Sequence, residues 1–265
     1  MPEVTITVLG SGTSMGVPTL GCDCKVCTST DPRDNRLRPS IMLQYHGCTV
    51  LIDTTPDFRQ QALRERIGRI DAILFTHSHA DHIMGLDDVR PLNLRQKGEI
   101  PIYGSAETLS TIQCSFNYIF DNVNPESAIP RLSMHPLTFE GVDLFGLHFM
   151  PILLHHGRSF VYGYRFGDAA YLTDHSTIPE ESMAKLSGLD VLFLDALRHK
   201  PHPTHTTVTQ ALTYVEQLSP KRAFFTHISH DLPHESTESR FPARVRLAYD
   251  GLRIQVGQGT HGDAS

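Results

Sequence analysis

The apolar run Ile70-Asp71-Ala72-Ile73-Leu74-Phe75 passes directly into Thr76-His77-Ser78-His79-Ala80-Asp81-His82. The run reads as a buried strand. Its end therefore delivers three imidazoles and a carboxylate to one point at a sheet edge. Such nitrogen and oxygen sets suit Zn²⁺, Mn²⁺ or Fe. A polar loop of individually satisfied histidines would leave unexplained why four such groups crowd one turn. The chain carries 16 histidines in 265 residues, and histidine is the commonest metal ligand. The arrangement also recurs. Leu154 leads to His156, Leu172 to Asp174 and Phe225 to His227, each at the end of a predicted strand. Groups carried on loops over a rigid sheet are where α/β enzymes place their chemistry.

The remaining pattern is mixed α/β. Strands are expected at Val4–Leu9, Ser40–Tyr45 and Cys48–Ile52, the last two joined by the hairpin signal His46-Gly47. Thr55 is the expected N-cap and Pro56 the N1 residue of a helix with Phe58, Ala62, Leu63 and Ile67 on one face, ended by Gly68. Asp87–Gln96 reads as helical with an interruption at Pro91, and Ala106–Phe120 as one helix with Cys114 in or near its core. Strands follow at Ile100–Tyr103, Val142–Pro151, Val161–Phe166, Ala169–Thr173, Val191–Leu194 and Ala223–Thr226. Thr206 or Thr207 caps a further helix with Val208, Ala211, Leu212, Val215 and Leu218 in phase. Gly10-Ser11-Gly12-Thr13-Ser14 lacks the Lys of a phosphate-cradling P-loop and reads as a tight turn near the active centre. Asp31–Arg38 alternates charge and reads as a solvated loop with local ion pairs, or with one arginine near a substrate phosphate.

A net charge of −6 argues against broad binding to a nucleic-acid backbone. No signal peptide and no membrane-spanning run is visible, so a cytoplasmic location is expected. In a reducing compartment the crowded Cys22, Cys24 and Cys27 point to metal rather than disulfide, and three thiolates fall one ligand short of a closed zinc site.

The His77-x-His79-x-Asp81-His82 array is similar to the signature of the metallo-β-lactamase superfamily, over nearly the whole chain. The three cysteines after the first strand, Asp31-Pro32-Arg33 and Thr226-His227-Ile228-Ser229-His230 resemble, more narrowly, the phosphoribosyl cyclic phosphodiesterase branch from bacterial phosphonate degradation. This resemblance implies a four-layered αββα sandwich of α/β class, one hydrolase domain over residues 1–265 with 257–265 a frayed tail. It implies two divalent metals, Zn or Mn. His77, His79 and His156 would hold the first, Asp81, His82 and His227 the second, and Asp174 would bridge them. His156 fits that pattern better than His155. Asp53 would orient a ligand imidazole or merely end its strand. His205 would be the general acid, with His199 and His202 as lesser candidates. One structural Zn would sit on Cys22, Cys24, Cys27 and His230, with His234 as the fallback. A homodimer is compatible with the resemblance.

The function so implied is hydrolysis of a phosphodiester, a small cyclic sugar or nucleotide phosphate, by a metal-bridging hydroxide. Three rivals stand beside it. Ribonuclease Z-like RNA processing needs a basic insertion that is absent from this acidic chain. Thiolester or lactam hydrolysis keeps the fold, although Asp81 beside His82 favours the phosphodiesterase and glyoxalase types over the lactamases. A non-catalytic binding module would have little use for the full ligand set with a candidate acid.

Overall fold

Strands in which every residue is apolar must be covered on both faces, and this requirement organises the chain. The computed structural model describes residues 2–121 and 128–257. Residues 258–265, expected as a frayed tail, lie outside them. The first half runs β1 (Val4–Gly10), β2 (Ser40–Tyr45), β3 (Cys48–Ile52), α1 (Phe58–Glu65), β4 (Ala72–Leu74), α2 (Ala80–Ile83), α3 (Arg90–Gln96), β5 (Ile100–Gly104), α4 (Ala106–Ser115), α5 (Asn117–Phe120) and β6 (Leu132–Pro136). The second runs β7 (Val142–Leu144), β8 (Leu147–His156), β9 (Ser159–Phe166), β10 (Ala169–Leu172), α6 (Glu180–Ala184), β11 (Val191–Asp195), α7 (Val208–Leu218), β12 (Arg222–Thr226), α8 (His234–Glu238), β13 (Val245–Leu247) and β14 (Arg253–Val256).

Among these residues there are two seven-stranded sheets, ordered β14-β1-β2-β3-β4-β5-β6 and β13-β12-β11-β10-β9-β8-β7. Each is antiparallel over one half and parallel over the other. Alternation sorts the side chains. Val50, Ile52, Ala72 and Leu74 point between the sheets, against Tyr164, Tyr171 and Phe193. Leu51 and Ile73 point outward, into a cluster with Phe58 of α1 and Leu109 and Ile112 of α4. On the far side Leu192, Leu194 and Phe225 meet Val208, Ala211 and Val215 of α7. The result is the expected αββα sandwich. Two bonds tie the second sheet to the loop after β4: the Tyr164 hydroxyl donates to Phe75 O at 2.7 Å, and Tyr162 N to Thr76 O at 2.9 Å.

Several local expectations are corrected. Val142–Pro151 is not one strand but a hairpin, turning at Phe145 and Gly146, both with positive φ. The long helix 106–120 breaks at Phe116, whose φ −120°, ψ 38° is not helical. Cys114 is exposed, because it sits out of phase with buried Leu109, Ile112 and Phe116. Leu63 is exposed, whereas Phe58 is buried and Ala62 and Ile67 pack on the core. Asp57, not Thr55, is the N-cap of α1; Thr55 Oγ1 accepts from Asp57 N one step earlier. The helix stops at Arg66 in the left-handed region, two residues before Gly68. Arg36 is buried against Asp34 at 2.7 Å rather than solvated, and also donates to Ser229 O and Leu232 O. The capping box of α7 falls on Thr207 with Gln210.

Candidate metal centre

The strand ends β4, β8, β10 and β12 converge on one edge of the sandwich. The loop after β4 brings His77 and His79 to His156, the last residue of β8, and one ligand atom from each lies within 4.8 Å of the others. Beside them Asp81 and His82, on the short helix α2, meet Asp174 after β10 and His227 after β12 in a second group of the same spread. His82 Nε2 lies 3.3 Å from Asp81 Oδ2 and 3.2 Å from Asp174 Oδ2, while His227 Nε2 lies 3.1 Å from Asp174 Oδ1. Asp174 also forms a group with His156 and His205, so its carboxylate stands between the two sets. His155 belongs to neither group; its ring packs on Phe160, with centroids 4.8 Å apart.

Hydrogen bonds on the outer ring nitrogens fix which atom faces inward. His82 Nδ1 is 2.7 Å from Asp53 Oδ2, and His156 Nδ1 donates to Thr204 O at 3.0 Å. Asp53 also accepts from Thr76 N and Thr76 Oγ1. The inward Nε2 atoms of His77, His82 and His227 are buried and have no hydrogen-bond partner of good geometry. Buried polar atoms left unmatched in this way are what a metal ligand set looks like with its ligand atoms free. Three residues at these strand ends, Asp53, Asp174 and His227, have φ of 66°, 54° and 56°. Non-glycine residues in that region store about 1–3 kcal/mol of strain each, typically at functional sites.

The electrostatics divide the two sets. Burial, reinforced by His82, holds His77 well below the usual imidazole range, so its lone pair is free. In the second set burial alone would raise Asp174, yet His227 and His82 hold it well below the usual carboxylate range. Burial opposes charge on His82, but Asp174, Asp81 and Asp53 push it well up. Two adjoining carboxylates thus draw positive charge into the second set.

A separate cluster lies on the cysteine loop. His230 Nδ1 is 3.2, 3.6 and 3.4 Å from the Sγ atoms of Cys22, Cys24 and Cys27. Zinc bonds of ~2.3 Å to sulfur and ~2.0 Å to nitrogen at a tetrahedral angle give an edge of roughly 3.5 Å, so the four groups fit that ion. His234 is elsewhere: it is buried on α8 with Nε2 3.5 Å from Glu238. The Cys27 backbone N–H pulls the Cys24 thiol down to about 7, while burial pushes Cys27 up to about 11.

His205 lies beside the main cluster, its ring stacked on that of His227 at 4.5 Å, and its Nδ1 is 2.8 Å from Asp195 Oδ2. His202 is adjacent, with ring centroids 5.0 Å apart, and His199 is exposed outside these groups. The glycine-rich loop is stitched to the His227 strand end by Ile228 N donating to Ser11 O and Thr13 N to Ile228 O. A Cβ on Gly12 would lie 2.7 Å from Arg36 O, so this close approach is to the backbone at Arg36 rather than to the ligands. None of Arg33, Arg36 and Arg38 lines the recesses at the cluster, whereas Arg158 and Arg198 do. Sequence reasoning gave no role to Asp195, Thr204 or Arg158. Asp195 carried a usable signal, since it too ends an apolar strand run.

The fold and this double ligand cluster define a metallo-hydrolase of the β-lactamase superfamily, and the chain belongs to that family, whose β-lactamase superfamily domain model matches residues 48–228. Within it the chain is related to the PhnP family: a solved structure of a new diphosphatase from that family is 55% identical, with TM-score 0.91, covering 97% of this chain and 98% of its own. An octanoyltransferase of Porphyromonas gingivalis strain W83 is 38% identical over 258 residues, 95% of this chain and 51% of the relative. The chain thus spans about half the length of that relative. Zn²⁺-bound PqqB from Methylobacterium extorquens shares the fold at 21% identity and TM-score 0.76, over 95% of this chain and all of that one.

Proposed function

We propose that the chain hydrolyses a phosphodiester of a small molecule, with a small cyclic sugar or nucleotide phosphate as the preferred class, and does so as a single hydrolase domain. The observation that carries this is the placement of His205 with Asp195 against two adjoining ligand sets that have Asp174 between them. His77, His79 and His156 would hold one divalent metal, Zn or Mn, and Asp81, His82 and His227 the other, with Asp174 shared. Such a pair activates water near neutral pH and neutralises phosphoryl oxygens.

The chain's own residues do the rest. Asp53 accepts the Nδ1 proton of His82, and Thr204 O that of His156, so both rings present Nε2 inward. Asp195 accepts from His205 Nδ1, which leaves His205 Nε2 to carry the proton that a departing alkoxide needs. Cys22, Cys24, Cys27 and His230 would hold a structural Zn that pins the loop beside the His227 strand end. A cytoplasmic location and a small-molecule rather than nucleic-acid substrate accompany this reading.

The relative described as a diphosphatase supports phosphorus chemistry at 55% identity. The test is turnover of bis-p-nitrophenyl phosphate, a 2′,3′-cyclic nucleotide and an acyl thiolester by the Zn- or Mn-loaded protein. Turnover of the two diesters with none of the thiolester is expected; thiolester turnover alone would contradict the reading.

A further inference from the structure

Leu63 of α1 and Leu94 of α3 are 63% and 64% exposed, although their helices cover the outer face of the first sheet. Between the two helices runs a groove of about 200 Å³. Phe58, Ala62, Leu63 and Ile67 form one wall, and Pro91 and Leu92 the other. Leu94 lies three residues beyond Pro91, hence one turn along the same face, and lengthens the second wall. None of these residues belongs to either metal-ligand group or to the cysteine cluster.

The rim of the groove is cationic. Arg59 is part of its lining. Arg59 and Arg66 stand four residues before and three after Leu63, so one turn on either side of it. Arg95 follows Pro91 by four residues, and its guanidinium lies over Gly68, where a Cβ would come within 3.5 Å of Nη1. All three are exposed, and none makes an ion pair or side-chain hydrogen bond with a described residue. Their neighbours differ: Arg64, Arg69 and Arg90 are each paired with a carboxylate. Asp88 is the one carboxylate on the lining. Three unpaired cations therefore surround an apolar groove in a chain of net charge −6.

One kind of occupant suits both features. A second copy meeting this face about a two-fold axis would set Arg59, Arg66 and Arg95 against themselves. An anionic membrane would attract the three arginines but repel the chain's net charge, and helices of eight and seven residues offer it only two leucines to insert. A helix with leucines on one face and acidic flanks fills the groove and pairs the rim. The eight residues of α1 make a wall of about 12 Å, which takes two turns of such a helix. We propose that the groove between α1 and α3 docks an acidic amphipathic helix of another protein.

The test uses the full chain and two fluorescein-labelled helical peptides of about 18 residues. Both carry the same leucine face; one has glutamates on its flanks and the other lysines. Fluorescence anisotropy should give a Kd of about 10 μM or below for the acidic peptide, at least about tenfold tighter than for the basic one, and weakening as NaCl is raised. Leu63→Ser should weaken binding of the acidic peptide about tenfold. Combining Arg59→Glu, Arg66→Glu and Arg95→Glu should reverse the preference between the peptides. Both variants should keep the metal content and Tm of wild type, which separates lost binding from lost fold. Binding of neither peptide, or equal binding of both, would overturn the proposal. So would a wild-type dimer in sedimentation that Leu63→Ser dissociates, since the groove would then hold a second copy. Cosedimentation with phosphatidylglycerol vesicles that Leu63→Ser abolishes would overturn it too, in favour of a membrane.

Discussion

His205 differs from the other histidines of the cluster in where it lies. Like His82, it is backed at Nδ1 by a buried carboxylate, here Asp195 at the end of β11, but it lies beside the two ligand sets, stacked on His227 and partly open to solvent. A proton donor matters in proportion to the basicity of the departing oxygen. His205→Ala is therefore expected to lower kcat about 10²–10⁴-fold on an alkyl diester and far less on a p-nitrophenyl ester. Equal losses on both would remove the acid role. Asp53 acts one bond further out. Asp53→Asn removes the charge behind His82 and should weaken metal affinity about 10–100-fold, read by competition with a chromophoric chelator. Unchanged affinity would make Asp53 only a strand-end residue with a strained φ of 66°.

At the scale of elements, the ligand loop after β4 depends on the second sheet. Tyr164, fully buried in β9, donates its hydroxyl to Phe75 O, two residues before His77. Tyr164→Phe leaves that carbonyl unmatched and should destabilise the fold by about 1–3 kcal/mol, measured by urea unfolding. The cysteine loop is a separate element with its own candidate ligand cluster. Cys24→Ser should lose one zinc per chain and lower Tm while leaving the main cluster's metals bound, as read by metal analysis and calorimetry. Loss of all metals together would tie the two sites into one. Legibility in the sequence followed the same division. Strands buried on both faces, such as Val191–Asp195, were readable as unbroken apolar runs, and ligands at their ends came with them. The hairpin turn at Phe145 and Gly146 was not, because an apolar residue there interrupts no hydrophobic pattern. The edge strands Leu132–Pro136, Val245–Leu247 and Arg253–Val256 are short and half polar, so periodicity passed over them. Charge alternation predicts a solvated Arg36 because it says nothing about the carbonyls of Ser229 and Leu232, nearly two hundred residues away, that accept from it in the interior.

For the whole molecule, strain and charge concentrate at one edge of the sandwich. Positive-φ residues sit at three strand ends there, and two carboxylates adjoin five imidazoles, four of them buried. Metal bound to the native state alone stabilises it by mass action. The resemblance between the Cys22–His230 loop and the phosphoribosyl cyclic phosphodiesterase branch was visible in the residues. The Arg158 recess was not, because it is assembled from β8, β9 and α4. No described helix is long and apolar enough to cross a membrane. The most direct test is metal content per chain measured together with turnover of bis-p-nitrophenyl phosphate. About three metals are expected, two at a catalytic pair and one on the cysteines, with diester turnover abolished in Asp174→Ala while the cysteine-bound zinc remains. Full turnover by Asp174→Ala, or by protein holding a single metal, would contradict the account.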